Sequence, residues 1–137
     1  MKDFGSILLF TDERNEDLMR AYRHCLSVAS SVPAPDIFKL VADSPAKRFW
    51  VSPERAAVVV SALIAGRPVG KMRPNKARMF QEIYRRYLIH KKKYPHLSTL
   101  DIVSIVVNEP APRFYLTPRT VGELISRIRR RFKEGEV

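Results

Sequence analysis

The side chains best equipped for chemistry lie near the carboxyl end: Arg119, Arg127, Arg130 and Arg131, with Lys133 beside them. Winding residues 118–133 at about 100° per residue puts Arg119, Glu123, Arg127 and Arg130 opposite an apolar stripe. That stripe is Val121, Leu124, Ile125, Ile128 and Phe132, and Arg131 and Lys133 flank the basic face. A row of guanidinium groups can meet phosphate oxygens, and the counterions it releases supply affinity that does not depend on base sequence. Arginine also matches guanine in the major groove. A second basic cluster runs through Arg78, Arg85 and Arg86 to His90, Lys91, Lys92 and Lys93, and Lys71, Arg73 and Lys76 precede it. Cations at a helix C-terminus also favour the macrodipole, so a solvated helix end accounts for Lys91–Lys93 equally well. The expected binding set is Arg119, Arg127, Arg130, Arg131 and Lys133, supported by Arg78, Arg85, Lys91, Lys92 and Lys93.

Other chemistry has little to stand on. His24, His90 and His96 lack the spacing of paired metal ligands, and Cys25 beside His24 is a lone pair on a helix, His24 outward and Cys25 inward. Five glycines form no phosphate-cradling loop. Asp36 and Asp101 each fall at a helix start, where an acid is favoured electrostatically. No catalytic role, metal or cofactor is expected.

Charge distribution supports a polyanion partner. Residues 1–64 hold eight Lys/Arg and eight Asp/Glu, whereas residues 65–137 hold seventeen and six, so the whole net charge of +11 lies in the second half. The composition is 45% hydrophobic, enough for a core. No segment approaches the roughly 20 apolar residues that span a bilayer, and membrane attachment is not expected. A single cysteine suits a reducing cytoplasm.

The helices that carry these residues belong to an internal repeat. At a constant offset of 65, Asp36-Ile-Phe-Lys-Leu-Val-Ala-Asp-Ser-Pro-Ala-Lys-Arg-Phe-Trp-Val-Ser-Pro53 aligns with Asp101-Ile-Val-Ser-Ile-Val-Val-Asn-Glu-Pro-Ala-Pro-Arg-Phe-Tyr-Leu-Thr-Pro118. The match continues as Val59-Val60-Ser61 against Leu124-Ile125-Ser126. Upstream it resumes after a three-residue length difference, with Tyr22-Arg23 against Tyr84-Arg85. Each copy reads as three helices. Residues 75–93 carry Met79, Phe80, Ile83, Tyr84, Tyr87 and Leu88 at helical spacing. Ser98 opens a short helix to about Val107, and Ser52-Pro53 and Thr117-Pro118 each pair an N-cap with proline at the first helical position.

The fold expected is therefore mainly α, two tandem pseudo-repeated three-helix modules packed together, with short extended segments before the last helix of each copy. The boundaries are an N-terminal arm at 1–12, a neutral structural copy at 13–65, a linker at 66–73, a basic binding copy at 74–133 and a tail at 134–137. On the last helix of the first copy, Glu54, Val58, Ala62 and Ala65 replace the basic face. That apolar surface is expected to pack on the other copy or to form a homodimer contact.

The extended segments carry the repeated motif Arg48-Phe49-Trp50 and Arg113-Phe114-Tyr115. Phe49 and Phe114 either anchor the loops in the core or serve as contact points of a protein-interaction adaptor. In architecture the module resembles tri-helical DNA-binding domains of the helix-turn-helix class, whose third helix reads the major groove. Here about ten residues separate the second helix from the third, against three or four in that class. The order Phe49-Trp50-Val51, helix 53–65, helix 75–93 is similar to the ribbon-helix-helix class, although the second copy ends after one helix. The function expected is nucleic-acid binding, DNA ahead of RNA, with a regulatory role. The adaptor is the alternative.

Overall fold

The computed structural model describes residues 4–29 and 34–135, with side chains at 10–29 and 36–133. It contains six helices: α1 (Phe4–Val28), α2 (Ala34–Ala42), α3 (Pro53–Ile64), α4 (Pro74–Lys93), α5 (Thr99–Val107) and α6 (Pro118–Gly135). Among the described residues there is no strand, so the β-branched and aromatic composition of 49–51 and 114–116 does not produce one. Among the described residues, no helix is long and apolar enough to cross a membrane.

Local chemistry sets three of the helix starts. The Ser52 hydroxyl accepts from the Arg55 amide at 3.1 Å, Ser98 from the Asp101 amide at 3.1 Å, and Thr117 from the Thr120 amide at 3.1 Å. Each satisfies one of the amides that a first helical turn leaves without a partner. Pro53 and Pro118 follow two of these caps, where a missing N–H costs nothing. The amino end differs from the expected arm at 1–12, because α1 already runs from Phe4. Nothing proline-like interrupts residues 4–28, so the helix propagates through them.

Two compact units divide the chain, and they do not follow the sequence copies. Unit 1 comprises residues 1–46 and 112–137, and unit 2 comprises residues 47–111. In unit 1, α6 packs on α2 and α1; in unit 2, α3 packs on α5 and α4. α6 thus shares a unit with α1 and α2, and α3 with α4 and α5, so the expected boundaries at 13–65 and 74–133 cut across both units. Unit 1 buries Leu18, Val41, Val121 and Ile125, while unit 2 buries Phe49, Val60, Phe80, Ile83 and Ile102, each at 2% exposure or less.

The repeated motif lies where the chain changes unit. Phe49 and Phe114 are buried. The Phe49 amide donates to Val107 O at 3.0 Å, and the Phe114 amide donates to Ala42 O at 3.2 Å. Val107 and Ala42 are the last residues of α5 and α2, so each bond satisfies a carbonyl left open at a helix end. The two bonds are related by the same offset of 65, with the roles of the copies exchanged. Arg48 is held in unit 2, donating to Phe49 O, Val51 O and Asn108 Oδ1, with its guanidinium 5.2 Å from the Trp50 ring centre.

Two arginines steady these crossings. In unit 1, Arg20 binds the buried carboxylate of Asp17 at 2.6 Å and donates to Pro45 O at 3.2 Å. In unit 2, Arg86 binds Glu82 at 2.8 Å, donates to Pro110 O at 2.9 Å, and sits 4.9 Å from the centre of the Phe49 ring. Arg20 and Arg86 therefore do the same job, each from one turn after an acid. The two arginines lie 66 positions apart, and each donates to a proline carbonyl.

Candidate nucleic-acid interface

Helix α6 is positioned by its inner face. Val121 and Ile125 are almost fully buried and Ile128 is 8% exposed, so the stripe turns the opposite side outward. Arg119, Arg127, Arg130, Arg131 and Lys133 are all exposed, as is Arg129, which the sequence reading passed over. None of these six cations forms an ion pair among the described residues, and neither does Glu123 on the same face. From Arg119 to Lys133 the helix rises about 21 Å.

Phe132 departs from expectation. It falls on the apolar stripe by helical phase, yet it is 58% exposed. The last turn of α6 outruns the core that covers Val121 and Ile125. On the helical wheel Phe132 lies about 160° from Arg130, so it does not share the basic face.

Unit 1 also supplies a cation that no reading of local pattern could place here. Arg14 of α1 is half-buried, and its Nε is buried without a hydrogen-bond partner. Among the described residues its guanidinium donates only to the neighbouring Asn15 side chain, at 3.0 Å. Burial lowers the Arg14 pKa, and repulsion from Arg127 lowers it further. Arg127 is thus near enough to repel Arg14, and neither guanidinium forms an ion pair among the described residues. Arg14 and Arg127 are 113 positions apart, so only docking of α6 on α1 brings them together.

The α4 cations belong to unit 2 and fare differently. Arg85 is tied to Glu82 through two hydrogen bonds of 2.9 and 2.7 Å. This bond is the largest cause holding the Glu82 carboxyl down at about 2, with Arg86 adding to it against the opposing effect of burial. Lys91 donates to Pro95 O and Leu97 O, closing the turn that leads into α5. Lys93 Nζ lies 5.5 Å from the centre of the Tyr94 ring. Arg78 and Lys92 are exposed and form no ion pair among the described residues. Of the five supporting residues expected on this helix, two are thus occupied structurally, one rests on a ring and two are open to solvent.

The division into units also redistributes charge. Unit 2 holds thirteen Lys/Arg and four Asp/Glu, net +9, while unit 1 holds twelve and ten, net +2. The basic helix α6 shares its unit with the acid-rich α1, where Asp12, Glu13 and Glu16 are exposed.

The other candidate features are placed as follows. Phe49 and Phe114 are in the cores, which leaves only Trp50 and Tyr115 of the aromatic motif partly exposed, and Tyr115 has a left-handed backbone with φ of 59°. On α3, Val58 is 61% exposed, Ala65 is exposed and Ala62 is partly exposed. Cys25 is buried with its Sγ 3.4 Å from Ser44 Oγ, and His24 is exposed. Among the described residues, no group of three or more His, Cys, Asp or Glu side chains could hold a metal ion. Comparison with protein-family models, curated proteins and solved structures finds no match.

Proposed function

We propose that this chain binds nucleic acid through the outward face of α6. Arg119, Arg127, Arg130 and Arg131 contact phosphates, Lys133 and Arg129 flank them, and Arg14 extends the face from α1. The observation that carries this reading is the row of exposed cations on α6 that form no ion pair among the described residues. A guanidinium with no internal carboxylate keeps its full attraction for an external anion and loses no existing pair on binding. Duplex DNA ranks ahead of RNA, because the wide major groove admits a helix whereas the deep, narrow groove of A-form RNA does not. A regulatory role fits such a protein. It is not read as an enzyme.

The same reading takes the chain as two pseudo-repeated three-helix modules, with the basic second copy supplying the binding helix to unit 1. Arg78, Lys92 and Lys93 on α4 contribute attraction for the polyanion, since a net charge of +11 steers anionic partners at long range. The exposed Val58 face of α3 is where a second copy would meet the first.

The test is a salt titration of binding to unrelated DNA duplexes, RNA duplexes and single strands, using the full chain. Binding that weakens steeply with salt and depends on the α6 arginines supports the reading. Binding to no nucleic acid at low salt refutes it. A protein partner retained at high salt would point to an adaptor instead.

A further inference from the structure

The middle and last helices of the two copies correspond at an offset of 65, and so do the hydrogen bonds from Phe49 and Phe114 that dock them. At one contact the two units are nevertheless built differently. Gly122 of α6 lies against the Phe38 ring of α2, where an added Cβ would fall 2.8 Å from Cε2 and 2.9 Å from Cδ2. Tyr22 of α1 flanks the partly exposed Phe38, with the ring centres 6.4 Å apart. Sixty-five positions away, the corresponding pair in unit 2 is Ala57 of α3 and Val103 of α5. Unit 1 sets a large ring against a residue with no side chain; at the corresponding positions unit 2 carries a medium side chain and a methyl group.

We propose that Phe38 and Gly122 are a recognition pair that makes the α1–α2 surface accept α6 and reject α3. Residues 1–65 and 66–137 are then obligate partners within one chain, each carrying the helix that completes the other's pair. Docking α3 on α1–α2 would drive the Ala57 Cβ into the Phe38 ring. Docking α6 on α4–α5 would leave Gly122 facing the smaller Val103, with a gap between them. Overpacking penalises the first error and a void penalises the second. Selectivity arises here as it does between separate proteins, by building a clash against the wrong partner.

Three full-length variants test the pair. Gly122→Ala is expected to lower the thermal midpoint by roughly 5 °C or more, and Phe38→Val to lower it through the void it leaves. Phe38→Val with Gly122→Ala recreates in unit 1 the valine–alanine match of unit 2. That double variant is expected to recover most of the loss. With discrimination removed, methyl cross-peaks between α6 and α5 are expected to appear beside those between α6 and α2. Additive losses overturn the proposal, as does a Gly122→Ala protein that melts like the parent. A stable double variant whose α6 contacts only α2 reduces the pair to ordinary packing and also overturns it. A protease site placed within linker residues 66–70 of the full chain tests the obligate partnership. After cleavage the two pieces are expected to elute together in native buffer, and their separation refutes the proposal. None of these outcomes depends on nucleic-acid binding.

Discussion

Replacing Arg127, Arg130 and Arg131 together with glutamine tests the binding face where it is most exposed. Glutamine keeps a long polar side chain and a helix propensity close to that of arginine, so α6 should persist. Its buried contacts, made by Val121, Ile125 and Ile128, are untouched. If α6 meets about four phosphates through Arg119, Arg127, Arg130 and Arg131, the plot of log affinity against log salt has a slope of about −3.6. Between 50 and 200 mM salt the parent protein then loses affinity roughly 150-fold. With one of the four contacts remaining, the slope falls to about −0.9 and the loss to roughly 3- to 4-fold. Fluorescence anisotropy with a labelled duplex reads both slopes. Arg55→Gln, an exposed α3 substitution outside the proposed face, is the matched control and should leave the slope near that of the parent. A triple variant that retains the parent slope, or an Arg55 control that falls equally far, would refute the reasoning. The first outcome would place the phosphate contacts elsewhere, and the second would reduce the effect to net charge.

Other consequences are directly measurable. Arg14→Met is expected to raise the thermal midpoint at low salt, because it removes a half-buried cation repelled by Arg127, while the salt slope loses up to about one unit of phosphate contact; an unchanged midpoint would mean that solvent already relieves the repulsion. Glu82 is depressed to about 2 by its bonds to Arg85 and Arg86, so its stabilising contribution is complete above its unfolded value and is lost as pH falls from about 4.5 towards 2. Glu82→Gln should flatten the acid limb of the unfolding profile over that window, and an identical limb in both proteins would contradict the assignment. Phe49→Ala and Phe114→Ala are each expected to cost about 3–5 kcal/mol in chemical denaturation, since both rings are buried. A cost near zero at either site would mean that the motif does not anchor its crossing.

Much of the helical framework was legible because its causes are local. Ser52, Ser98 and Thr117 accept amide hydrogen bonds three residues ahead, so the starts of α3, α5 and α6 follow from residues that are neighbours in sequence. The outward direction of Arg119, Arg127 and Arg130 likewise follows from helical phase against Val121, Ile125 and Ile128. The beginning of α1 was not legible, since residues 4–12 carry no cap or periodic stripe distinct enough to separate a helix from an arm. Phe132 was misplaced for a different reason: phase gives a residue's side of the helix but not how far the covering core extends.

What the sequence determined by itself is the mainly helical character, the caps of α3, α5 and α6, and the apolar and basic sides of α6. What only tertiary structure decided is which helix pair each last helix completes. α3 and α6 present similar apolar stripes, and periodicity treats both docking surfaces as equivalent. The choice depends on volumes meeting across distant segments, such as Phe38 against Gly122, and no one-dimensional pattern records a shape that exists only after two parts of the chain approach. The same choice puts α6 in one unit with Arg14 and leaves most of the net charge in the other unit.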